Sequence, residues 1–184
     1  MKYSIIYADP PWKYKDTAKA GNRGAACKYP VMTLDDIAVL PVKALAADDC
    51  LLAMWWVPPM PREALYVMDA WGFELITMKG FTWHKETVRG KSHFGMGHWT
   101  RGNTEDCFFA RRGRPKVISH SVRQYISSPL RDHSQKPDEA RDRLVEMMGD
   151  VPRIELFARQ RFPGWAAWGD EVQSDIQLPL VKID

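Results

Sequence analysis

Apolar residues in this chain come in short continuous runs separated by stripes with helical spacing. Ser4 to Ala8 is apolar at its centre and stops at Asp9-Pro10-Pro11-Trp12, the pattern of a buried parallel strand whose ladder the prolines cannot continue. Cys50 to Val57 repeats it and ends at Pro58-Pro59, while Phe73 to Trp83, Asp106 to Ala110 and Arg153 to Arg159 read as further strands. Between the strands, Thr33 can cap a helix with Asp35 and Asp36 in its first turn and Ile37, Leu40 and Leu45 on one face, split by Pro41. Pro61 opens a second helix, Arg62 to Trp71, with Leu65, Met68 and Trp71 inward and Gly72 closing it. Pro137 opens a third, with Ala140, Leu144, Val145 and Met148 as its buried stripe and Gly149 as its C-cap. Regular alternation of strand and helix predicts a single α/β domain over residues 1–184, doubly wound, with a mostly parallel sheet covered on both faces. Ligands of such sheets bind beyond the carboxyl ends of the strands, which puts Asp9 and Pro10 at the expected site.

Two stretches carry no period. Lys13 to Pro30 reads as a long loop leaving the mouth of that site, and loops of this length inside a compact domain are uncommon unless functional. His84 to Asn103, polar and containing Gly90, Gly95, Gly97 and Gly102, reads as a mobile loop. At 184 residues the chain can bury a core without staples, and its three cysteines, Cys27, Cys50 and Cys107, lack the paired spacing of a disulfide framework. The longest uncharged stretch, Cys50 to Pro61, is too short to span a bilayer and holds three prolines. Asp9 breaks the first apolar run too early for a signal peptide. A soluble cytoplasmic protein with no membrane association is expected.

Charge changes the picture more than composition does. The net charge is only +3, yet Lys79 to Lys136 holds twelve Lys or Arg against four acids, together with all five histidines, Trp83 and Trp99. Cations interleaved with aromatics suggest a nucleic-acid surface, although an ordinary solvated loop region has the same composition. The histidines and cysteines show no zinc-type spacing, so no metal is expected.

Asp9-Pro10-Pro11-Trp12 has the parts needed to activate an aromatic amine. N6 of adenine is a poor nucleophile because its lone pair is delocalised into the ring. A carboxylate and a proline carbonyl aimed at its two hydrogens would favour the localised amine, and Trp12 would stack on an extruded base. Taken locally, the four residues are equally a strand ending in a Pro-Pro turn with a partly buried Trp. They resemble the Asp-Pro-Pro-Trp motif of the MT-A70 family of S-adenosylmethionine-dependent adenine N6-methyltransferases, and the resemblance runs from about Ser4 to about Glu171. Tyr29 falls where the family's Tyr follows that motif. The strand, helix, Trp71-Gly72-Phe73, strand order resembles the family's middle region. Gly97-His98-Trp99, with Glu105 and Cys107 after it, is similar to the family's Gly-His-Trp segment. Gln135-Lys136-Pro137-Asp138-Glu139 resembles a Ser-His-Lys-Pro-Asp-Glu segment, with Gln135 in place of His. Glu155-Leu156-Phe157-Ala158-Arg159 resembles Glu-Leu-Phe-Gly-Arg, and Trp165 to Glu171 resembles a Trp-x-x-x-Gly-Asn-Glu tail, with Asp170 replacing Asn.

The resemblance implies a Rossmann-like methyltransferase fold of reduced size with circularly permuted motif order, the catalytic strand first and the cofactor strand last. It implies S-adenosyl-L-methionine as cofactor and methyl transfer to N6 of adenine. Asp9, Pro10, Pro11 and Trp12 are then catalytic. Tyr29, Trp56, His98, Trp99 and Glu105 bind substrate, and Asp9, Lys136, Glu155, Phe157, Arg159 and Asp170 bind cofactor, Lys136 at its methionine end. On local grounds Lys136-Pro137 is equally a helix start, and Glu155 with Arg159 a salt-bridged strand end. The basic turn Arg111-Arg112-Gly113-Arg114 is expected beside the catalytic mouth. DNA is the expected substrate, because compact single-domain forms look like the family's prokaryotic and phage branch. RNA, or a catalytically silent nucleic-acid-binding subunit, are the alternatives, and a homodimer or a second subunit would assist target recognition.

Overall fold

A computed structural model describes residues 1–13, 32–95, 99–131 and 135–178. Its frame is a seven-stranded sheet. Strand β1, Tyr3–Ala8, lies between β2, Ala46–Trp56, and β6, Arg153–Leu156, parallel to both. Beyond β2 come β4, Thr104–Arg112, then β3, Glu74–Glu86, then β5, Tyr125–Pro129; β7, Ala166–Trp168, closes the other side next to β6. Pairing is parallel except along β4, which runs antiparallel to both β2 and β3.

The alternation of β1 divides the core. Ile6 and Ala8 point into one apolar cluster with Leu52, Met54 and Phe108, covered by three helices: α1, Leu34–Ala38, α2, Val42–Leu45, and α3, Pro61–Ala70. Ile5 and Tyr7 point into a second cluster with Leu51, Ala53 and Trp55, covered by α4, Glu139–Met148. The sheet is therefore doubly wound, as expected. Thr33 caps α1 by accepting from the Asp36 amide at 3.2 Å, and Pro41 separates α1 from α2. Among the described residues no helix is long and apolar enough to cross a membrane.

Several local expectations shift. On α3 the buried positions are Ala64, Val67 and Met68, continued by Trp71, an i, i+3, i+4, i+7 set that leaves Leu65 half-buried at its margin. On α4 Arg141 takes a buried position and Val145 is half-buried. Strand β3 runs on to Glu86 because His84 pairs with Thr104 across to β4 and with Ser127 on β5, so the connection after it starts later than His84. Strand β5 is hidden in the sequence by its mixed polarity and β7 by its length of three residues. The basic turn needs the largest correction. Since β4 is antiparallel, Arg112 pairs with Cys50 at the opposite end of the sheet from Asp9, where its Nη1 donates to the Lys43 carbonyl and the Arg114 amide donates to Asp49. That turn braces the start of β2 and stands away from the mouth.

One buried ion pair ties α4 to the sheet. Arg141 gives Nε and Nη2 to the two oxygens of Glu155 on β6, each at 2.7 Å, and its guanidinium lies 3.7 Å from the Phe162 ring centre. A bidentate pair this deep is costly to break from one side, because the remaining charge is stranded. Urea denaturation should find Arg141→Met less stable by about 3–5 kcal/mol, with more than half of that loss recovered in the Arg141→Met, Glu155→Leu double variant. A single variant as stable as the wild type would show that the pair does not hold α4 in place.

Candidate functional site: a charged cavity at the carboxyl ends of the strands

Beyond the end of β1 the chain turns sharply: the Trp12 amide donates to the Pro10 carbonyl at 2.9 Å, and the Met32 amide to the Pro11 carbonyl at 3.1 Å. Beyond the end of β2, Pro58-Pro59 also turns the chain, with the Met60 amide donating to the Val57 carbonyl at 2.9 Å. Between the two Pro-Pro corners lies a cavity of about 350 Å³, within the usual range of small-ligand sites. Asp9, Pro10, Pro11 and Trp12 line it from β1, and Trp55 to Pro59 from β2. Lys85 enters from β3, Gly102, Thr104 and Glu105 from around the start of β4, and Lys136 and Arg159 complete the wall. The reversal of β4 is what brings Glu105 here, since a strand parallel to its neighbours would present its other end.

The polar groups form one charge-compensated chain. Lys136 Nζ lies 2.7 Å from Asp9 Oδ2 and 3.1 Å from Glu105 Oε2, and Lys85 Nζ donates to the other Glu105 oxygen. The Lys136 side chain is only 9% exposed, with its ammonium 5.5 Å from the Trp55 ring centre. Burial alone would lower the Lys136 pKa, but Asp9 and then Glu105 outweigh it and raise it above the ordinary lysine value. Glu105 shows the mirror balance: burial pushes it up, Lys136 and Lys85 pull harder, and it ends below the usual carboxylate value. The Cys107 thiol, opposite Trp55, is pushed well up by burial first and by Asp9 second, so it stays neutral and is no nucleophile.

Indoles fix the cavity wall. Trp55 Nε1 donates to the Tyr7 hydroxyl at 2.7 Å, and Trp12 Nε1 to the Trp55 carbonyl at 3.1 Å. Trp12 is buried and lines the cavity, so its ring forms part of the wall. Trp56 also lines the cavity, half-buried, and its Nε1 has no hydrogen-bond partner among the described residues.

A narrow cleft of about 40 Å³ adjoins this cavity, sharing Asp9, Pro11 and Arg159 with it and adding Phe157, Ala158, Asp170 and Glu171. Phe157 takes φ of 61° directly after β6, which turns its ring edge-on to Trp168 at 5.4 Å. Gly169 presses on the neighbouring backbone, where a Cβ would stand 2.2 Å from the Ala158 carbonyl oxygen.

Of the residues expected at the site, Asp9, Pro10, Pro11, Trp12, Trp56, Glu105, Lys136 and Arg159 meet at the cavity, and Phe157 and Asp170 at the cleft. Glu155 lines neither; both its oxygens go to Arg141. Trp99 is wholly exposed on the β3–β4 connection. Tyr29 and His98 lie outside the described residues. Sequence reasoning missed Lys85 and Trp55. Lys85 stands just past the apolar run Phe73 to Trp83, where nothing in the sequence shows that the strand continues, and the signal for Trp55 is the pair of adjacent indoles, both of which line the cavity.

Comparison with known proteins gives these residues a context. The MT-A70 family model matches residues 3–171. The chain is 34% identical to the Type II methyltransferase M.MunI of Mycoplasma over 97% of its own length and 82% of that protein. It is 31% identical to the N6-methyladenosine RNA methyltransferase MTA1 of Pyricularia oryzae and 28% identical to the human N(6)-adenine-specific methyltransferase METTL4. In both cases 92% of this chain is covered, but only 47% and 37% of the relative.

The charge chain makes a testable statement about pH. Because the Glu105 pKa is depressed in the fold, its ionisation stabilises the native state above the unfolded value of about 4.3, and that contribution is lost as pH falls through the depressed one. In Lys136→Met one cation is gone, burial gains weight, and ionising Glu105 becomes less favourable. Denaturation should show Lys136→Met destabilised by about 3–5 kcal/mol at neutral pH, with the deficit shrinking towards pH 4. A deficit of constant size across that range would mean that Glu105 does not feel Lys136.

Proposed function

The chain belongs to the MT-A70 family of adenine N6-methyltransferases, and from that premise we propose that it transfers a methyl group from S-adenosyl-L-methionine to N6 of adenine in DNA. The observation that carries the DNA reading is the near end-to-end overlap with a Type II methyltransferase, against partial overlap with the longer relatives. The basic and aromatic connection beside the cavity supports a nucleic-acid substrate.

The donor set suits the cofactor. A buried ammonium, Lys136, suits a carboxylate, and Asp9 suits a positively charged centre. The cleft flanked by Phe157, Arg159 and Asp170 offers a ring and hydrogen-bonding side chains to a nucleoside edge, and Gly169 leaves room for close approach there. When bound, S-adenosyl-L-methionine supplies an electrophilic methyl on a sulfonium. The protein's part is positioning and electrostatics. Asp9 Oδ2 is held by Lys136, which leaves Oδ1 as an acceptor at the cavity. The Pro10 carbonyl, fixed by the Trp12 amide, keeps a second lone pair for another amine hydrogen. Two preorganised acceptors localise the amine lone pair as attack begins, and the indole walls keep water from competing.

The test is incubation of the protein with methyl-labelled cofactor and one sequence supplied as double-stranded DNA, single-stranded DNA and RNA, followed by nucleoside analysis. Label should appear as N6-methyladenine in DNA, and Asp9→Ala should lower the rate by about 10²–10³ while leaving far-ultraviolet circular dichroism unchanged. A clear preference for RNA would overturn the substrate, and activity above half of wild type in Asp9→Ala would overturn the role of Asp9.

A further inference from the structure

Lys85 lines the cavity, yet the proposed reaction gives it no task. It follows Trp83 by two residues on β3, so the two side chains share a face of the sheet. Trp83 pairs with Glu105 across the β3–β4 ladder, which makes Lys85 and Glu105 diagonal neighbours. The main chain of Lys85 is held from both sides: its amide donates to the Asn103 carbonyl and its carbonyl accepts from the His93 amide, each at 2.8 Å. Its ammonium stands 5.4 Å from the ring centre of Trp83, itself buried and anchored through Nε1 to the Ser128 carbonyl at 3.2 Å. A lysine serving only solubility would reach into water, whereas this side chain is 18% exposed and gives its ammonium to Glu105 Oε1.

Glu105 thus answers two ammonium groups with different oxygens, Lys85 at Oε1 and Lys136 at Oε2. Lys136 in turn answers two carboxylates, and stands closer to Asp9, at 2.7 Å, than to Glu105, at 3.1 Å. Other groups nearby have their own partners or no charge. Asp106, next on β4, accepts from the Thr82 hydroxyl at 2.5 Å, Arg159 stands 3.8 Å from Glu171, the Cys107 thiol is neutral, and β2 contributes the uncharged Trp55 and Trp56. Without the Lys85 charge, Glu105 has only Lys136 to face, in a set of two carboxylates and one cation. The Lys136 ammonium is then drawn towards Glu105 and off Asp9 Oδ2, and the carboxylate placed to receive the amine loses its fixed position.

We propose that Lys85 is a positioning residue for the methyl transfer: by holding Glu105 Oε1 it keeps Lys136 on Asp9 and so fixes the carboxylate that meets the amine. The role rests on the reaction proposed above. It needs positive charge at residue 85 as well as a hydrogen bond. The loss on removing that charge falls on kcat, because Asp9 is used as attack begins, and a more negative set does not repel a cofactor that carries a sulfonium.

The test compares wild type, Lys85→Gln and Lys85→Arg in methyl transfer to one sequence supplied as double-stranded DNA, single-stranded DNA and RNA, over a range of pH. Lys85→Gln should lower kcat by about 10- to 100-fold with little change in the KM for the cofactor, and Lys85→Arg, which keeps the charge, should recover most of the loss. Burial raises the Glu105 pKa, and Lys136 and Lys85 together lower it further than that; with Lys85 neutral, Glu105 takes up a proton at higher pH and releases Lys136 to Asp9. The kcat deficit of Lys85→Gln should therefore shrink from about pH 8 towards about pH 5. Carbon-13 NMR of glutamate-labelled protein, with Glu105 assigned by its absence in Glu105→Gln, should show that carboxyl titrating at higher pH in Lys85→Gln, a readout that needs no turnover. An unmoved Glu105 titration overturns the proposal. So does wild-type kcat in Lys85→Gln, a deficit equal at every pH, or Lys85→Arg no better than Lys85→Gln, each of which leaves the reaction standing. A wild type that methylates no adenine overturns the reaction, and the positioning role with it.

Discussion

Everything at the carboxyl ends of the strands depends on one buried ammonium. Lys136 joins Asp9 at the end of the first strand to Glu105 at the start of the fourth, and through Glu105 it reaches Lys85 on the third. Two cations and two carboxylates sum to no net charge, so the set is tolerable in a place that water reaches poorly. Such a set is also adaptable: a zwitterionic ligand arriving there can exchange partners with it without stranding a charge. Geometry that would be too expensive for a single carboxylate becomes affordable for four groups together.

The reversed fourth strand explains why those groups meet at all. In a wholly parallel sheet the residues collected at one end all follow their strands. Here Glu105 stands near the beginning of β4 and still reaches the same mouth as Asp9, which follows β1. The same reversal sends Arg111, Arg112 and Arg114 to the far end, where Arg112 and Arg114 engage Lys43, Asp48 and Asp49. The basic excess between Lys79 and Lys136 is thus divided between two ends of the sheet, and only the part beside the cavity belongs to the site.

Much of this was legible in the chain because the responsible signals are local. Apolar runs ended by Pro-Pro pairs marked β1 and β2, Thr33 and Pro61 marked helix starts, and Asp9 stood where a strand end puts a ligand group. Strand direction was not legible, since Asp106 to Ala110 reads the same in either sense, and the basic turn was misplaced for that reason. Glu155 escaped for a related cause. Its partner Arg141 sits on a helix stripe where an apolar residue is the better guess, and only the packed structure shows that the two charges answer each other. Short edge strands such as Tyr125–Pro129 carry too few residues for a period to be seen.

The strand order also sets a timetable for synthesis. Tyr7 pairs on one side with Ala53 and on the other with Glu155, so this interior strand is made well before its second neighbour and waits for everything from β2 to α4 before that edge is covered. Until then a strand without a single charge presents open backbone groups, the state in which nascent proteins aggregate or recruit chaperones. Long-range closure of this kind is slow. A polypeptide interrupted before Lys136 would hold the Asp-Pro-Pro corner without the lysine that neutralises it, and competence would come to the whole molecule at once, late.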